Sequence, residues 1–293
     1  MISVARLRVL AVPLALVAFA SNSLLCRRAL GTGAIDPAAF TLIRLLSGAL
    51  TLALLARGKG TQSRAGGPGP WAGAAALFLY AAAFSFAYVR VPAGVGALVL
   101  FASTQATMIG WGIYRGDRPG ARESLGIGVA LAGLVGLATP GRTAPDGVGV
   151  ALMLVAGAGW GVYSLLGRSA PSAIVSNAGA FARAVIPAAL MAVLPGKAQT
   201  LTSQGILLAV FSGALASGIG YSLWYTALPH LTRPHAAAIQ LTVPVIAAVA
   251  GVVLLGEAMT VRLAITGVVI LAGVGLARPV FRSARVVAEN GAA

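Results

Sequence analysis

Charge is scarce in this sequence. Of its 293 residues only 9% are Asp, Glu, Lys or Arg, whereas 58% are hydrophobic, and the mean hydropathy is +0.92. A water-soluble domain carries about 25% charged residues to cover its surface. The composition therefore excludes an ordinary soluble domain, and it is too poor in polar residues for a disordered chain. We expect an integral membrane protein.

Cysteine, histidine and acidic residues are also rare. Cys26 is the only cysteine, so it has no partner for an internal disulfide or a metal site, and we interpret it as a small apolar core residue. His230 and His235 are interpreted as solvated loop residues. The six acidic residues fall in predicted loops, tails or span ends: Asp36, Asp117, Glu123, Asp146, Glu257 and Glu289. We therefore expect no metal, no cofactor and no buried carboxylate for a proton relay.

The net charge of +15 raises the question of a nucleic-acid partner. The basic residues stand singly or in pairs between apolar runs and do not form one basic face with interleaved aromatic residues. We expect no nucleic-acid binding. The motifs of intramembrane enzymes are absent as well, because no His-Glu-x-x-His, aspartate-rich or Gly-x-Ser-x-Gly segment occurs. We expect no enzymatic activity.

Apolar runs separated by charges, prolines and glycines predict ten transmembrane helices and an all-α fold. One span needs about 20 apolar residues, so a chain of this length holds about ten spans with short loops. The first five predicted helices are 9–28, 37–56, 71–89, 92–114 and 122–139. The second five are 147–167, 173–194, 205–228, 234–255 and 260–277.

Lys and Arg divide unequally between alternate loops. Thirteen lie on the side of the N-terminus: Arg6, Arg8, Arg57, Lys59, Arg64, Arg115, Arg118, Arg122, Arg168, Arg233, Arg278, Arg282 and Arg285. Six lie on the other side: Arg27, Arg28, Arg90, Arg142, Lys197 and Arg262. The positive-inside rule therefore predicts that both termini are cytoplasmic, although Arg27 and Arg28 go against it.

The two halves of the chain, 1–141 and 142–293, resemble each other. Residues 23–27 match residues 164–168 at an offset of about 140 positions. Further similarities pair Phe40 and Arg44 with Phe181 and Arg183, Gly116-Asp117 with Gly256-Glu257, and Ala132-Gly133 with Ala272-Gly273. Each half holds an odd number of predicted spans, so the repeats should be inverted, as in carriers that alternate access around a midplane site. The alternative is a duplicated scaffold without a transport role.

This arrangement resembles the drug/metabolite transporter superfamily, in particular its ten-helix branch made of two EamA-type repeats. The resemblance covers essentially the whole chain. It rests on Arg44 in Phe-Thr-Leu-Ile-Arg and Arg183 in Phe-Ala-Arg, on Pro244, on the pairs Gly116-Asp117 and Gly256-Glu257, and on Gly126, Gly133, Gly267 and Gly273. One departure is Thr104, which stands where Pro244 sits in the second half, so the resemblance does not imply a symmetric hinge.

Within that superfamily the chain looks most like the YddG-type amino-acid exporters. The resemblance implies export of aromatic and other neutral amino acids from a central cavity. An exporter of another small metabolite or drug of the same superfamily is the alternative. A channel is less favoured, because neither rings of charge nor repeated carbonyl filters are visible in the sequence.

Aromatic residues are the first candidates for a substrate site. Tyr80, Phe84 and Tyr88 are spaced by four residues, which puts their rings on one face of a helix. Other candidates lie in the sixth and eighth predicted spans: Trp160, Tyr163, Tyr221, Trp224 and Tyr225. These rings either line a cavity that accepts flat apolar side chains or pack between helices and at the membrane surface.

Three amides inside predicted spans are the polar candidates. Asn22, Gln105 and Gln240 are named as substrate-binding residues because an amide both donates to a carboxylate and accepts from an ammonium group. The alternative is that they form interhelical hydrogen bonds, which contribute about 0.6 kcal/mol each.

Arg44 and Arg183 are the only charges well inside predicted spans, which makes each a candidate functional residue. Each guanidinium either binds a substrate carboxylate or has a structural role, snorkelling or bonding to backbone carbonyls. Pro244 interrupts the ninth span about one third of the way along, and we name it as a candidate hinge.

The remaining expectations concern partners and energy. Without a buried carboxylate we expect facilitated movement of substrate down its own gradient and no proton coupling. We expect a small-molecule substrate, a functional monomer and a location in the bacterial inner membrane, the last from the composition rich in Arg, Ala and Gly.

Overall fold

The computed structural model describes residues 4–57, 70–116, 120–139, 141, 144–167, 172–193, 200–227, 240 and 242–277. Within these ranges the chain is helical, and the only pairing outside the helices is one isolated β-bridge between Ile35 and Leu201.

The helices are long and follow each other with short connections. The first seven are α1 (Val4–Gly31), α2 (Pro37–Ala56), α3 (Pro70–Tyr88), α4 (Ala93–Tyr114), α5 (Ala121–Ala138), α6 (Gly147–Gly167) and α7 (Ala173–Val193). They are followed by α8 (Ser203–Phe211), a π-helical segment π1 (Ser212–Ile219), α9 (Gly220–Ala227), α10 (Thr242–Leu255) and α11 (Val261–Leu276). The segments α8, π1 and α9 form one unbroken rod over residues 203–227.

Eight of the ten predicted helices agree with the structure to within two residues, whereas α1 begins five residues before and ends three residues after the predicted helix 9–28, and the predicted start of helix 234–255 lies outside the described residues. Predicted helices 37–56 and 147–167 have the bounds of α2 and α6. Seven helices in the described part of the chain are long and apolar enough to cross a membrane, while α10 and α11 are apolar but shorter. The protein is thus a multi-pass membrane protein. The count of ten crossings stays a prediction.

The outward helix faces are apolar. On α1 the exposed positions include Leu10, Leu14 and Val17, each about half exposed, and on α10 they include Val253 and Leu254. Large aliphatic side chains on the outside suit the hydrocarbon interior of a membrane, which is itself apolar and offers no hydrogen-bond partners to polar side chains. The inner faces instead carry small residues and the polar side chains described below.

The helix contacts follow a regular scheme. α3 packs on α6, and the 203–227 rod packs on α1; α4 packs on α6, and α10 packs on α1. α2 contacts α7, and α5 contacts α11. The first to fifth predicted spans correspond to the sixth to tenth. Exchanging each helix with its counterpart leaves this set of contacts unchanged, which is what a duplicated chain with two-fold symmetry would show. The domain division at residue 141 and the inverted orientation stay predictions.

Glycines allow close approach where the halves meet. A Cβ added to Gly126 of α5 would overlap the backbone of Ala277 and lie 2.6 Å from the carbonyl oxygen of Gly273. On α6, a Cβ at Gly159 would lie 2.9 Å from the backbone nitrogen of Tyr80. Small residues are what allow membrane helices to pack backbone against backbone.

At one end of the bundle, polar contacts link several of the loops that join successive helices. Arg27 Nε donates to Glu257 Oε1 at 3.0 Å, and Arg90 Nη1 lies 3.5 Å from Asp146 Oδ2. Arg262 donates to the carbonyl of Thr139 at the same end. Arg27, which goes against the positive-inside rule, therefore has a carboxylate partner. The side of the membrane on which this end lies stays a prediction.

Candidate functional site

A cavity of about 30 Å³ lies in the interior of the helix bundle. Its walls are Phe19, Asn22, Ser23, Tyr80, Phe84, Leu100, Phe101, Trp160, Ala216, Tyr221 and Gln240. These residues come from both halves: α1, α3 and α4 supply the first seven, whereas α6, π1, α9 and the residues just before α10 supply the others. The cavity thus lies between the two predicted repeats.

Aromatic rings form a continuous wall of this cavity. The Tyr80 and Trp160 ring centroids lie 5.0 Å apart, and those of Trp160 and Tyr221 lie 5.2 Å apart. Phe84 extends the wall along α3, 5.3 Å from Tyr80. The centroid distances fall in the range of favourable ring contacts. The helical spacing of Tyr80 and Phe84 puts both rings on the cavity side of α3.

A chain of buried polar groups runs behind the cavity. Ser212 Oγ donates to Asn22 Oδ1 at 2.6 Å, and Asn22 Nδ2 donates to the Tyr80 hydroxyl at 3.2 Å. Arg44 Nη2 donates to the same hydroxyl at 2.8 Å. Side chains from α1, α2, α3 and π1 meet in this network. In the membrane interior such groups bond to one another because lipid offers no alternative.

The π-helical segment positions the polar end of the network. Ser212 begins π1, and its carbonyl accepts a 2.9 Å hydrogen bond from Ser217 Oγ, five residues along. Both serines are fully buried. Short π-helical stretches occur often at functional sites. The sequence contains the two Ser-Gly pairs 212–213 and 217–218 here, but hydropathy gives no signal for a π-helix.

Arg44 is the most deeply placed charge in the described residues. Its side chain is 1% exposed, and its guanidinium carbon lies 5.0 Å from the Tyr80 ring centroid and 5.1 Å from that of Phe84. Nε and Nη1 have no hydrogen-bond partner among the described residues. Arg44 stands behind the aromatic wall and does not line the cavity.

Six of the eleven predicted substrate-binding residues line the cavity. They are Asn22, Tyr80, Phe84, Trp160, Tyr221 and Gln240. Tyr88 is buried below Phe84, and its hydroxyl donates to the carbonyl of Ala93 at 3.3 Å. The structure therefore brings the first two rings of the predicted stripe to the cavity and uses the third for packing.

The other four predicted binding residues lie elsewhere. Tyr163 is buried, and its hydroxyl donates to Asn177 Oδ1 at 2.5 Å. Trp224 packs edge-on against Phe19, 6.0 Å between ring centroids. Gln105 is half-buried in α4 away from the cavity. Tyr225 lies in α9, and its side chain falls outside the described part of the structure.

Arg183 and Pro244 are not among the residues that line the cavity. Arg183 is half-buried on α7, and its Nη1 donates to the carbonyl of Gly179 in its own helix at 3.0 Å. Pro244 is buried in α10, and residue 240 before it is helical as well, whereas residues 228–239 and 241 lie outside the described part of the chain. The role of Pro244 as a hinge stays a prediction, and His230 and His235 lie outside the described residues.

Glu257 differs from what its loop position suggests. It follows α10, as predicted, but its side chain is only 13% exposed. Oε1 pairs with Arg27, and Oε2 accepts a 2.8 Å hydrogen bond from the backbone nitrogen of Ala93. Hydropathy places a residue along the chain but does not show which neighbouring helix ends fold over it.

Several cavity residues were not singled out from the sequence. Phe19, Leu100, Phe101 and Ala216 are apolar residues within apolar spans, where no pattern separates a cavity wall from a lipid-facing surface. Ser212 was missed as well. Among the described residues no cluster of three or more His, Cys, Asp or Glu side chains is placed to hold a metal ion.

Comparisons with known proteins agree with this architecture. A sequence profile of the EamA-like transporter family matches residues 147–278. A Pseudomonas aeruginosa relative, named only as an uncharacterized protein, is 48% identical over 266 residues, which cover 90% of this chain and 91% of the relative. An uncharacterized transporter of Archaeoglobus fulgidus is 28% identical over 191 residues, covering 62% of this chain and 67% of that one.

A crystal structure titled only as that of a protein has a TM-score of 0.65 to this chain at 22% identity, and the match covers 91% of this chain and 97% of that one. At that identity the likeness concerns the fold. The profile match and the relatives show that the chain belongs to the EamA-like transporter family.

Proposed function

We propose that the protein is a secondary carrier that exports aromatic and other neutral amino acids by alternating access. The proposal places it in the bacterial inner membrane as a functional monomer with ten crossings in two inverted repeats. The observation that carries it is the cavity between the two halves, because carriers built from inverted repeats bind substrate at the repeat interface.

The cavity lining supports this substrate class. Phe84, Trp160 and Tyr221 offer flat apolar surfaces, and the amides of Asn22 and Gln240 offer donors and acceptors. None of the described lining residues is acidic, which disfavours a cationic substrate. In a neutral amino acid, an aromatic or aliphatic side chain would contact the apolar rings, and the carboxylate and ammonium groups would bond to the amides.

The size of the cavity implies movement. One water molecule needs about 10–15 Å³ of such a cavity, so about 30 Å³ holds only about two waters. We propose that the cavity widens to admit an amino acid when the halves separate. Glycine-lined contacts such as those of Gly126 and Gly159 leave no long interlocking side chains to resist such a shift.

Counterflow into proteoliposomes tests the proposal. Vesicles loaded with unlabelled phenylalanine should take up labelled phenylalanine transiently and saturably, whereas a channel would give single-channel currents without counterflow. Trp160→Ala should weaken apparent affinity about tenfold by removing a cavity wall. Trp111→Ala is the matched control because Trp111 is 46% exposed and does not line the cavity.

The same assay separates the alternatives. Counterflow of a drug or another metabolite, with none for any of a panel of amino acids, would favour a different carrier of the superfamily. Facilitated transport is the expected mode, since Glu257 is held by Arg27 and Ala93 and does not line the cavity. Acidification of the vesicle lumen during amino-acid flux would contradict that mode.

A further inference from the structure

We propose that the Tyr80 hydroxyl donates the hydrogen bond that selects a substrate carboxylate, and that Arg44 acts behind it as a positioning residue. This inference rests on the proposed function of the cavity. The group that the site recognises is then an anionic oxygen of the substrate. Arg44 does not contact this oxygen directly but acts on it through the Tyr80 hydroxyl.

The hydrogen-bond directions around Tyr80 carry the first step. A guanidinium has no acceptor, so the 2.8 Å bond between Arg44 and Tyr80 has the arginine as donor. Asn22 presents its Nδ2 to the same oxygen at 3.2 Å, because its Oδ1 accepts from Ser212. The phenol oxygen accepts both bonds and so uses both lone pairs. Its own proton must be donated in a third direction.

The third direction is the cavity. Tyr80 and Asn22 both line it, and among the described residues none accepts a hydrogen bond from the Tyr80 hydroxyl. Asn22 presents its Nδ2 and not its carbonyl oxygen to this hydroxyl, and the neighbouring rings of Phe84 and Trp160 carry no oxygen that could accept its proton. A ligand oxygen in the cavity would complete the bonding of this hydroxyl.

The positive charge of Arg44 determines whether a charged or a neutral ligand oxygen binds better at the Tyr80 hydroxyl. The guanidinium is buried, is always protonated, and has no carboxylate paired with it among the described residues. Its field acts through a low-dielectric interior, where charges interact more strongly than in water. An anionic oxygen at the Tyr80 hydroxyl is therefore favoured over a neutral one, although Arg44 itself does not reach the cavity.

Two probes of nearly equal shape test the inference: 3-phenylpropionate, which has a carboxylate, and 3-phenylpropionamide, which does not. Binding is measured on the purified full-length protein by ligand-dependent quenching of tryptophan fluorescence. The wild type should bind the carboxylate at least about tenfold more tightly. Tyr80→Phe keeps the ring and should bring the ratio of dissociation constants close to one. Tyr114→Phe, at a tyrosine that is 80% exposed, should keep the wild-type ratio.

Two further variants test the relay. Arg44→Lys should retain part of the carboxylate preference and Arg44→Gln should lose it, with the amide probe bound equally by both. Asn22→Asp should lose it too, because the new carboxylate accepts the Tyr80 proton. In counterflow, Tyr80→Phe should raise the KM for phenylalanine and leave kcat within about twofold.

The inference is overturned if the wild type shows no carboxylate preference, or if Tyr80→Phe or Asn22→Asp keeps that preference. The proposed transport function fails separately. A protein that prefers the carboxylate through Tyr80, yet gives no amino-acid counterflow, would retain the recognition mechanism and lose the amino-acid carrier assignment.

Discussion

Arg44 and Arg183 look alike in the sequence but differ in environment. Arg44 is 1% exposed with two guanidinium nitrogens that lack partners in the described part of the chain, whereas Arg183 is half-buried and bonds to the carbonyl of Gly179. A buried charge without a counter-ion costs stability. A residue kept at such a cost is better explained by binding than by structure.

Replacing the two arginines separates these roles. Arg44→Met should melt at or above the wild-type temperature, with a free energy of unfolding unchanged or raised by about 1 kcal/mol, because the buried charge is gone and the thioether still packs on Tyr80 and Phe84. Carboxylate preference should be lost. Thermal denaturation in detergent measures the first effect.

Arg183→Met serves as the comparison and should change stability by no more than about 0.5 kcal/mol, with substrate affinity retained. A clear drop in the melting temperature of Arg44→Met would assign Arg44 a mainly structural role instead.

At the scale of elements, α5 and α11 are held together through glycine. The added Cβ of Gly126 would collide with backbone of the facing helix, and one at Gly133 would lie 2.7 Å from Ile270 Cγ1. Gly126, Gly133 and Gly273, which are among the marks of the family resemblance, lie at this close approach, whereas a Cβ at Gly267 would meet only Leu98, at 3.7 Å.

A pair of substitutions on α5 tests this packing. Gly126→Ala should destabilise the protein by about 1–3 kcal/mol, because backbone of α11 must move away. Gly128→Ala is the matched control two residues along: its Cβ would meet nothing within 4 Å, so the higher helix propensity of alanine should leave stability unchanged or raised by up to about 1 kcal/mol. Equal melting temperatures for the two variants would count against the close contact.

At the scale of the whole molecule, the contacts at one end of the bundle join connections that the charge bias assigns to the outside. Ile35 pairs with Leu201, Arg27 with Glu257, and Arg90 with Asp146. Connections that lie together in space must lie on one side of a membrane. The predicted topology therefore specifies from which side of the membrane a residue in each loop can be labelled.

Single cysteines placed in a Cys26→Ser background test that topology. Cysteines at the exposed positions Thr32 and Thr200 should react with a membrane-impermeant maleimide on intact cells. Cysteines at Arg57 and Arg115, also exposed, should react only after the membrane is permeabilised. Arg57 and Thr200 follow the second predicted span of the first and second half, so labelling of both from the same side would exclude the inverted arrangement and with it the proposed carrier mechanism.

Much of the fold was predictable from the sequence, and part of the site. Helix boundaries such as 37–56 follow from hydropathy, because the membrane requires runs of apolar residues of a fixed length. Tyr80 and Phe84 were found through helical spacing. Tyr88 shares that spacing but packs away from the cavity, because the neighbours of a given helix turn depend on contacts distant in the chain.

The sequence by itself determined that this chain crosses a membrane many times, where most of its described helices begin and end, and which residue types are available inside. Those properties depend on local composition and on the thickness of the bilayer. Only the tertiary structure decided that Ser212, Asn22, Tyr80 and Arg44 form one network and that Glu257 pairs with Arg27. Such pairings join residues up to 230 positions apart, and they depend on helix rotation and depth, which no local pattern specifies.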